Sequence, residues 1–314
     1  VVNDDGPPSP VSPYFAPLIT ALNEAGHTTV VVIPDKPLSW IGKAHAVGKT
    51  LTAESRCPTS FADDINKTTN NNNNNNNNNT SKTCTVPGCD DVQGPEDRTH
   101  RWLIVNGPPA SCTQLGLFHT PGLQPQDFDL VISGPNHGRN ASTIYALSSG
   151  TVGGALEAAQ CGRRAVALSF GSKDRQPPTT IRAACVRAVA LIQELARDWH
   201  PEVEVYSVNV PMVADVGEAP VRVTRTAEGR WVTGGLFVPM LESAAAAAAA
   251  AADPEKMAMS ASSRTYQFPW APQLGDIRRQ AEESPEGEDL WASRNGVNSI
   301  APFKASFTAV NVQK

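Results

Sequence analysis

VVNDDGPPSPVSPYFAPLITALNEAGHTTVVVI, residues 1–33, reads as strand, helix, strand. Val1-Val2 is the tail of a strand, and Asn3-Asp4-Asp5-Gly6 follows it into a Pro/Ser-rich turn that ends at Pro13. From Tyr14 to Gly26, Phe15, Leu18, Ile19 and Leu22 fall at i, i+3, i+4 and i+7. That spacing makes one apolar helical stripe, with Gly26 as its stop. Thr28 to Ile33 is rich in β-branched residues and closes with Pro34-Asp35, the pattern of a buried strand. A β-α-β unit of this kind builds a parallel sheet with a right-handed crossover.

The same alternation continues outward. Trp102 to Val105, Phe128 to Ile132, Ala165 to Leu168 and Glu202 to Val210 read as strands. Ser111 to Phe118, Thr151 to about Cys161, and the stripe Ile181, Ala184, Cys185, Ala188, Leu191, Ile192, Leu195 read as helices between them. The expectation is an α/β fold, a Rossmann-like, doubly wound, mostly parallel sheet over residues 1–212. After Pro220 the rhythm changes. Val221 to Thr224, Arg230 to Thr233, Ser299 to Phe303 and Ala305 to Ala309 read as short strands, so residues 213–314 are expected to form a β-rich extension serving dimerisation.

Residues 52–99 break the pattern with a turn signal at Cys57-Pro58, ten consecutive Asn from Asn70 to Asn79, and Pro/Gly/Asp clusters. They read as an insertion. Neither the Asn run nor the nine-Ala run Ala244 to Ala252 is assigned a function. Of six cysteines, Cys84 and Cys89 form the one local pair that could staple a loop, and no Cys/His spacing suggests zinc.

Composition narrows the function. The chain has 314 residues and a net charge of −5, with no long Lys/Arg run, which disfavours nucleic-acid binding. No apolar run approaches the length of a membrane span.

In open α/β sheets ligands bind beyond the carboxyl ends of the strands. Three polar loops fall there: Asn3 to Gly6, the stretch after Pro34-Asp35 that contains Ser39, and Ser133-Gly134-Pro135-Asn136-His137-Gly138. Two adjacent carboxylates at a strand end raise each other's pKa unless a cation neutralises them. Oxygen donors of the Asp, Asn and Ser type suit a hard divalent ion, Mg²⁺ or Mn²⁺. The competing reading makes Asp4-Asp5-Gly6 a plain turn whose side chains cap backbone. Ser148-Ser149-Gly150-Thr151 opens a helix whose free N–H groups and hydroxyls suit a phosphate, or else Ser149 is simply an N-cap. Walker, GxSxG and thiolate-phosphate loop patterns are missing, and His137 reads as a loop residue or supporting donor.

Taken in order, Asn3 to Gly6, Ser39, Gly107 to Cys112, Ser133 to Asn140 and Ser149 to Gly153 resemble the SurE family of metal-dependent phosphatases and 5′-nucleotidases. The wording of residues 39–45 and 148–155 looks most like the fungal branch. In that branch the domain can be fused to a tubulin-tyrosine-ligase-like domain, for which these residues leave no room. The resemblance implies that Asp4, Asp5, Ser39 and Asn136 hold the metal. It implies that Asn140, Ser149, Gly150 and Thr151 line the phosphate pocket, with Asp4 activating the attacking water and Asn140 stabilising charge on the phosphoryl oxygens. It also implies a homodimer acting on a small phosphorylated substrate such as a nucleotide. A non-catalytic nucleotide-binding or regulatory module is the alternative. Glycosylation sequons at Asn66, Asn78, Asn79 and Asn140 suggest secretion. Asn140-Ala-Ser142 lies in the expected pocket, however, where a glycan would block substrate, so a cytoplasmic location is expected.

Overall fold

The computed structural model describes residues 1–56, 101–240 and 266–307. The low-complexity runs, Cys57, Cys84, Cys89 and three of the four sequons lie outside them. The chain divides into two compact units, Val1–Glu228 with Pro285–Lys314, and Gly229–Ser284.

In the first unit the strands are β1 (Val30–Pro34), β2 (Ala53–Arg56), β3 (Arg101–Val105), β4 (Val131–His137), β5 (Ala165–Phe170), β6 (Val205–Val210), β7 (Val221–Val223) and β8 (Asn298–Phe303). The helices are α1 (Phe15–Glu24), α2 (Pro109–His119), α3 (Thr143–Ser148), α4 (Gly150–Gln160) and α5 (Pro178–Arg197). β1 pairs in parallel with β3, and β4, β5 and β6 are mutually parallel. β2 lies antiparallel on β3, and β8 lies antiparallel on β6 with β7 beyond it.

Residues 1–2 join these two groups of strands. Val32 N donates to Val1 O at 3.0 Å, Val2 N to Ile132 O at 2.9 Å, and Gly134 N to Val2 O at 2.7 Å. The chain leaves Val2 toward β1 on one side and returns later to β4 on the other. The loop that starts at Asn3 therefore sits at the topological switch point, where open α/β sheets bind ligands. Helices cover both faces. Phe15, Leu18 and Leu22 of α1 share one core with Ala188, Leu191 and Ile192 of α5. Val152, Ala155 and Ala158 of α4 pack with Leu117 of α2 against Ala165 and Ala167 of β5 on the other face. Among the described residues no helix is long and apolar enough to cross a membrane.

Several local expectations change. The strand expected at Phe128 to Ile132 starts at Val131 and runs to His137. Gly134-Pro135 reads as a loop signal, yet the strand continues through it with a register shift between Ser133 and Asn136. Only glycine fits position 134, since a Cβ would lie 2.2 Å from Leu168 O and φ is +131°. Residues 53–56, placed in the insertion, form an exposed edge strand, and its sequence Ala-Glu-Ser-Arg carries no apolar pattern to announce it. Arg230 to Thr233 is not a strand. The Val232 and Thr233 N–H groups donate to the Asp276 carboxylate at 2.8 and 2.7 Å, and these bonds hold Asp276 below the usual carboxylate range. Residues 305–307 are likewise irregular, and helices α6 (Gly275–Glu283) and α7 (Asp289–Arg294) stand among the strands expected after Pro220.

Within the second unit, residues 235–240 run antiparallel to residues 267–273, with Met240 N donating to Gln267 O at 2.8 Å and Ala271 N to Leu236 O at 2.9 Å. Phe237 and Trp270 meet edge to face across this pair, with centroids 5.4 Å apart.

Candidate active site

The loop after Val2 is built by its own polar side chains. Asn3 Nδ2 donates to Gly6 O at 2.8 Å, and Asn3 Oδ1 accepts from Gly6 N at 3.2 Å. Gly6 adopts φ +74° and presses on Lys36, where a Cβ would come within 2.9 Å of the Lys36 carbonyl carbon. Asn3 and Gly6 thus make the turn, which leaves the two carboxylates for other work.

Asp4 and Asp5 are both nearly fully buried. Burial raises both carboxyl pKa values, and for Asp5 the neighbouring Asp4 charge adds to it. Asp4 faces the start of α4. The Thr151 hydroxyl donates to Asp4 Oδ1 at 2.6 Å, and backbone hydrogen bonds from Thr151 and Gly150 favour the charged form. The N-terminus of α4, expected to face phosphate, is thus addressed to Asp4, and the helix end stabilises that carboxylate. Ser149 caps the same helix by accepting from Val152 N at 3.1 Å. Gly150 permits this approach, since a Cβ there would sit 2.7 Å from Asp4 Cβ. Asp5 Oδ2 accepts from His137 N at 2.6 Å and so ties the end of β4 to the switch-point loop. The His137 ring packs edge to face on Tyr14, and burial holds its pKa below the usual range.

A cavity of about 60 Å³ opens on Asp4 and is lined by Ser39, Asn136, Asn140 and Ser149, all expected at the site from the sequence. Asn136 Nδ2 donates to Gly138 O at 2.6 Å, which orients its side-chain amide. Asn140 is held by Nδ2 to Ser169 Oγ at 2.9 Å, and its backbone N–H donates to Asn209 Oδ1 at 2.8 Å. Thr151, Gly150 and Asp5 stand behind the lining: the first two touch Asp4, and the third adjoins it in sequence.

The lining also contains Ser148, which the sequence reading places at the helix start, and Trp40, Arg139, Tyr145 and Lys173, to which the sequence reading gives no role. Lys173 follows β5 at the same sheet edge, so the strand-end rule pointed at its loop. It lies against Gly138, where a Cβ would meet Lys173 Cε at 2.9 Å. Arg139 and Lys173 bring two cations to the cavity that opens on the buried Asp4 carboxylate.

The segment bearing Ser39 is anchored to α4. Glu157, almost wholly buried, binds Lys43 Nζ at 2.5 Å, Gln114 Nε2 at 2.5 Å and His45 Nε2 at 3.3 Å, and His45 Nδ1 lies 3.0 Å from Ser111 Oγ. Gly153 lets the segment lie directly on the helix, with the position a Cβ would take only 2.5 Å from Gly42 O. Burial pushes the Glu157 pKa up, but hydrogen bonds from Lys43 and Gln114 outweigh it and leave the carboxyl below its usual range.

The profile of the Survival protein SurE family matches residues 1–233. The chain belongs to the SurE family. Its relatives include the Probable tubulin--tyrosine ligase PBY1 of Saccharomyces cerevisiae, 32% identical over 327 residues. That alignment covers 99% of this chain and 41% of the yeast protein, so the chain spans less than half of that relative's length. The 5′-nucleotidase SurE of Cytophaga hutchinsonii is 29% identical over 309 residues, 98% of this chain and 91% of its own. The 5′-nucleotidase SurE of Methanosarcina acetivorans is 35% identical over 216 residues, 65% and 69% of the two chains. The crystal structure of the SurE protein from Aquifex aeolicus superposes with a TM-score of 0.61 at 22% identity, covering 98% of this chain and 93% of that one. The likeness is one of fold.

Proposed function

We propose that this SurE-family chain is a divalent-metal-dependent phosphomonoesterase acting on nucleoside monophosphates or similar small phosphate esters. The observation that carries the reading is the buried Asp4–Asp5 pair at the switch point, with Asp4 opening on a cavity lined by two cations and two oriented amides. The donor chemistry fits a hard ion. The candidates Asp4, Asp5, Ser39 and Asn136 offer oxygen, and among the described residues no group of three or more His, Cys, Asp or Glu gathers to hold a softer metal. When bound, Mg²⁺ or Mn²⁺ supplies positive charge to the phosphate and lowers the pKa of water at the site.

The chain's own residues do the rest. Asp4, fixed by Thr151, orients the attacking water and takes its proton. The side-chain amide of Asn140 donates to a phosphoryl oxygen, and Arg139 and Lys173 offset the negative charge that substrate brings. The phosphoryl group lies in the cavity beside Asp4, and the leaving group extends from it along the lining.

The names of the bacterial and archaeal relatives support the nucleotidase reading, and the yeast relative's name does not bear on it. A non-catalytic nucleotide-binding module is the second reading. It gains nothing from two buried carboxylates beside a phosphate. Phosphate release from p-nitrophenyl phosphate and from adenosine 5′-monophosphate, with and without Mg²⁺ or Mn²⁺, separates the two. We also propose a homodimer formed through the antiparallel segments of the second unit, whose Phe237, Met240, Phe268 and Trp270 are exposed. The buried, hydrogen-bonded Asn140 cannot carry a glycan in the folded chain, which supports a cytoplasmic location.

A further inference from the structure

Trp40 adopts φ +63°, a left-handed conformation that is strained for a non-glycine residue. For a bulky residue this is a true outlier, and such strain persists where the surroundings over-determine it, often at a ligand site. The surroundings here are specific. Gly42 N donates to Ser148 O at 2.8 Å, joining the segment after Ser39 to α3. The Trp40 ring then meets Tyr145 of α3 edge to face, with centroids 5.7 Å apart. Both rings line the same cavity as Asp4, and both are partly exposed.

With the phosphoryl group placed beside Asp4 by the proposed function, the leaving group extends along the rest of the cavity's lining. Arg139 and Lys173 supply the cationic lining, and Trp40 and Tyr145 supply the aromatic one. We propose that Trp40 and Tyr145 form an aromatic wall that selects phosphomonoesters whose leaving group carries a planar ring, the nucleobase of a nucleotide in the first place. This inference rests on the phosphomonoesterase reading and names the part of the substrate that the metal and Asp4 do not touch. Stacking on an aromatic side chain tolerates any base, so the wall favours nucleotides over sugar phosphates without distinguishing one base strongly from another.

The test compares kcat/KM for adenosine 5′-monophosphate with that for ribose 5-phosphate, which keeps the sugar and phosphate and lacks the base. Phenyl phosphate serves as a third substrate. Wild type is expected to favour the nucleotide by about 5- to 100-fold, and W40G to bring the two within about threefold of each other. Glycine takes φ +63° freely, so W40G is also expected to melt above W40A, which removes the same ring but keeps the strain. If W40G instead lowers kcat/KM for phenyl phosphate alone, the wall takes an aryl group bonded directly to the ester oxygen, and the nucleobase assignment is overturned. Equal wild-type kcat/KM for nucleotide and sugar phosphate, or a preference that survives in W40G, overturns the wall while leaving the phosphatase reading intact. Absence of phosphate release from all three esters overturns both.

Discussion

The Thr151 hydroxyl donates to Asp4 Oδ1 at 2.6 Å, across 147 residues of sequence. This bond joins the switch-point loop to the start of α4 and turns a helix N-terminus toward a carboxylate. It also alters the meaning of a threonine that the family pattern assigns to phosphate. Thr151→Val keeps the shape and leaves Asp4 Oδ1 without that donor. We expect a stability loss of about 1–2 kcal/mol and a fall in kcat of about tenfold or more, with KM for substrate changing less. Thr151→Ser should restore most of the activity. Steady-state kinetics and melting curves on both variants check this; a rise in KM at constant kcat would return Thr151 to direct phosphate binding.

Gly150 is required by close approach. A methyl group there would meet Ile41 Cγ2 at 2.8 Å and Asp4 Cβ at 2.7 Å, and the Asp4 atom can move only by displacing the switch-point loop. Gly150→Ala should cost about 1–3 kcal/mol despite alanine's better helix propensity, and it should lower turnover by moving Asp4. A variant that is more stable and fully active would show that the loop has slack there.

Glu157 links stability to pH with a definite sign. Its folded carboxyl lies below the usual value of 4.5, so the folded chain binds fewer protons than the unfolded chain as pH falls. Its contribution is present above about pH 4.5 and is lost on acidification. Glu157→Gln should destabilise by about 1–3 kcal/mol at pH 7 and by less at pH 4, so the two melting curves converge in acid. It should also raise the metal concentration needed for half-maximal activity, because Lys43 and His45 tether the segment that carries Ser39.

The exposed apolar side chains of the second unit predict self-association. Phe237→Ser with Trp270→Ser removes two partly exposed rings whose contact joins the antiparallel segments, and should convert a dimer to monomer in light scattering. A wild-type chain that is monomeric and fully active would contradict that assignment.

Much of the core was legible because its strands are buried on both faces and read as apolar runs, as Val30 to Ile33 does. The carboxylate pair was legible because it stands where a strand ends. What escaped the sequence reading depends on distance rather than pattern. Lys173 and Tyr145 reach the cavity from loops and helices with no motif of their own. Glu157 sits on an apolar helix as a lone charge, and nothing in its neighbourhood of sequence announces Lys43 or His45. β4 was misread because Gly134 and Pro135 look like a turn until Leu168 O is seen pressed against the position of the absent Cβ.

The central claim is that Asp4 and Asp5 bind a divalent metal and that Asp4 acts on the attacking water. The most direct measurement is phosphate release against Mn²⁺ concentration for wild type, Asp4→Asn and Asp5→Asn, with melting curves in chelator and in metal. Both substitutions are near-isosteric and remove one charge from a buried pair, so in chelator each variant should melt at or above wild type. Added metal should raise the wild-type melting temperature and should raise that of either variant less. Asp5→Asn should regain part of its activity at high metal. Asp4→Asn should remain about 10²- to 10⁴-fold below wild type even at saturation. Full activity in Asp4→Asn, or a wild-type melting temperature indifferent to metal, would contradict the claim and leave the chain a binding module.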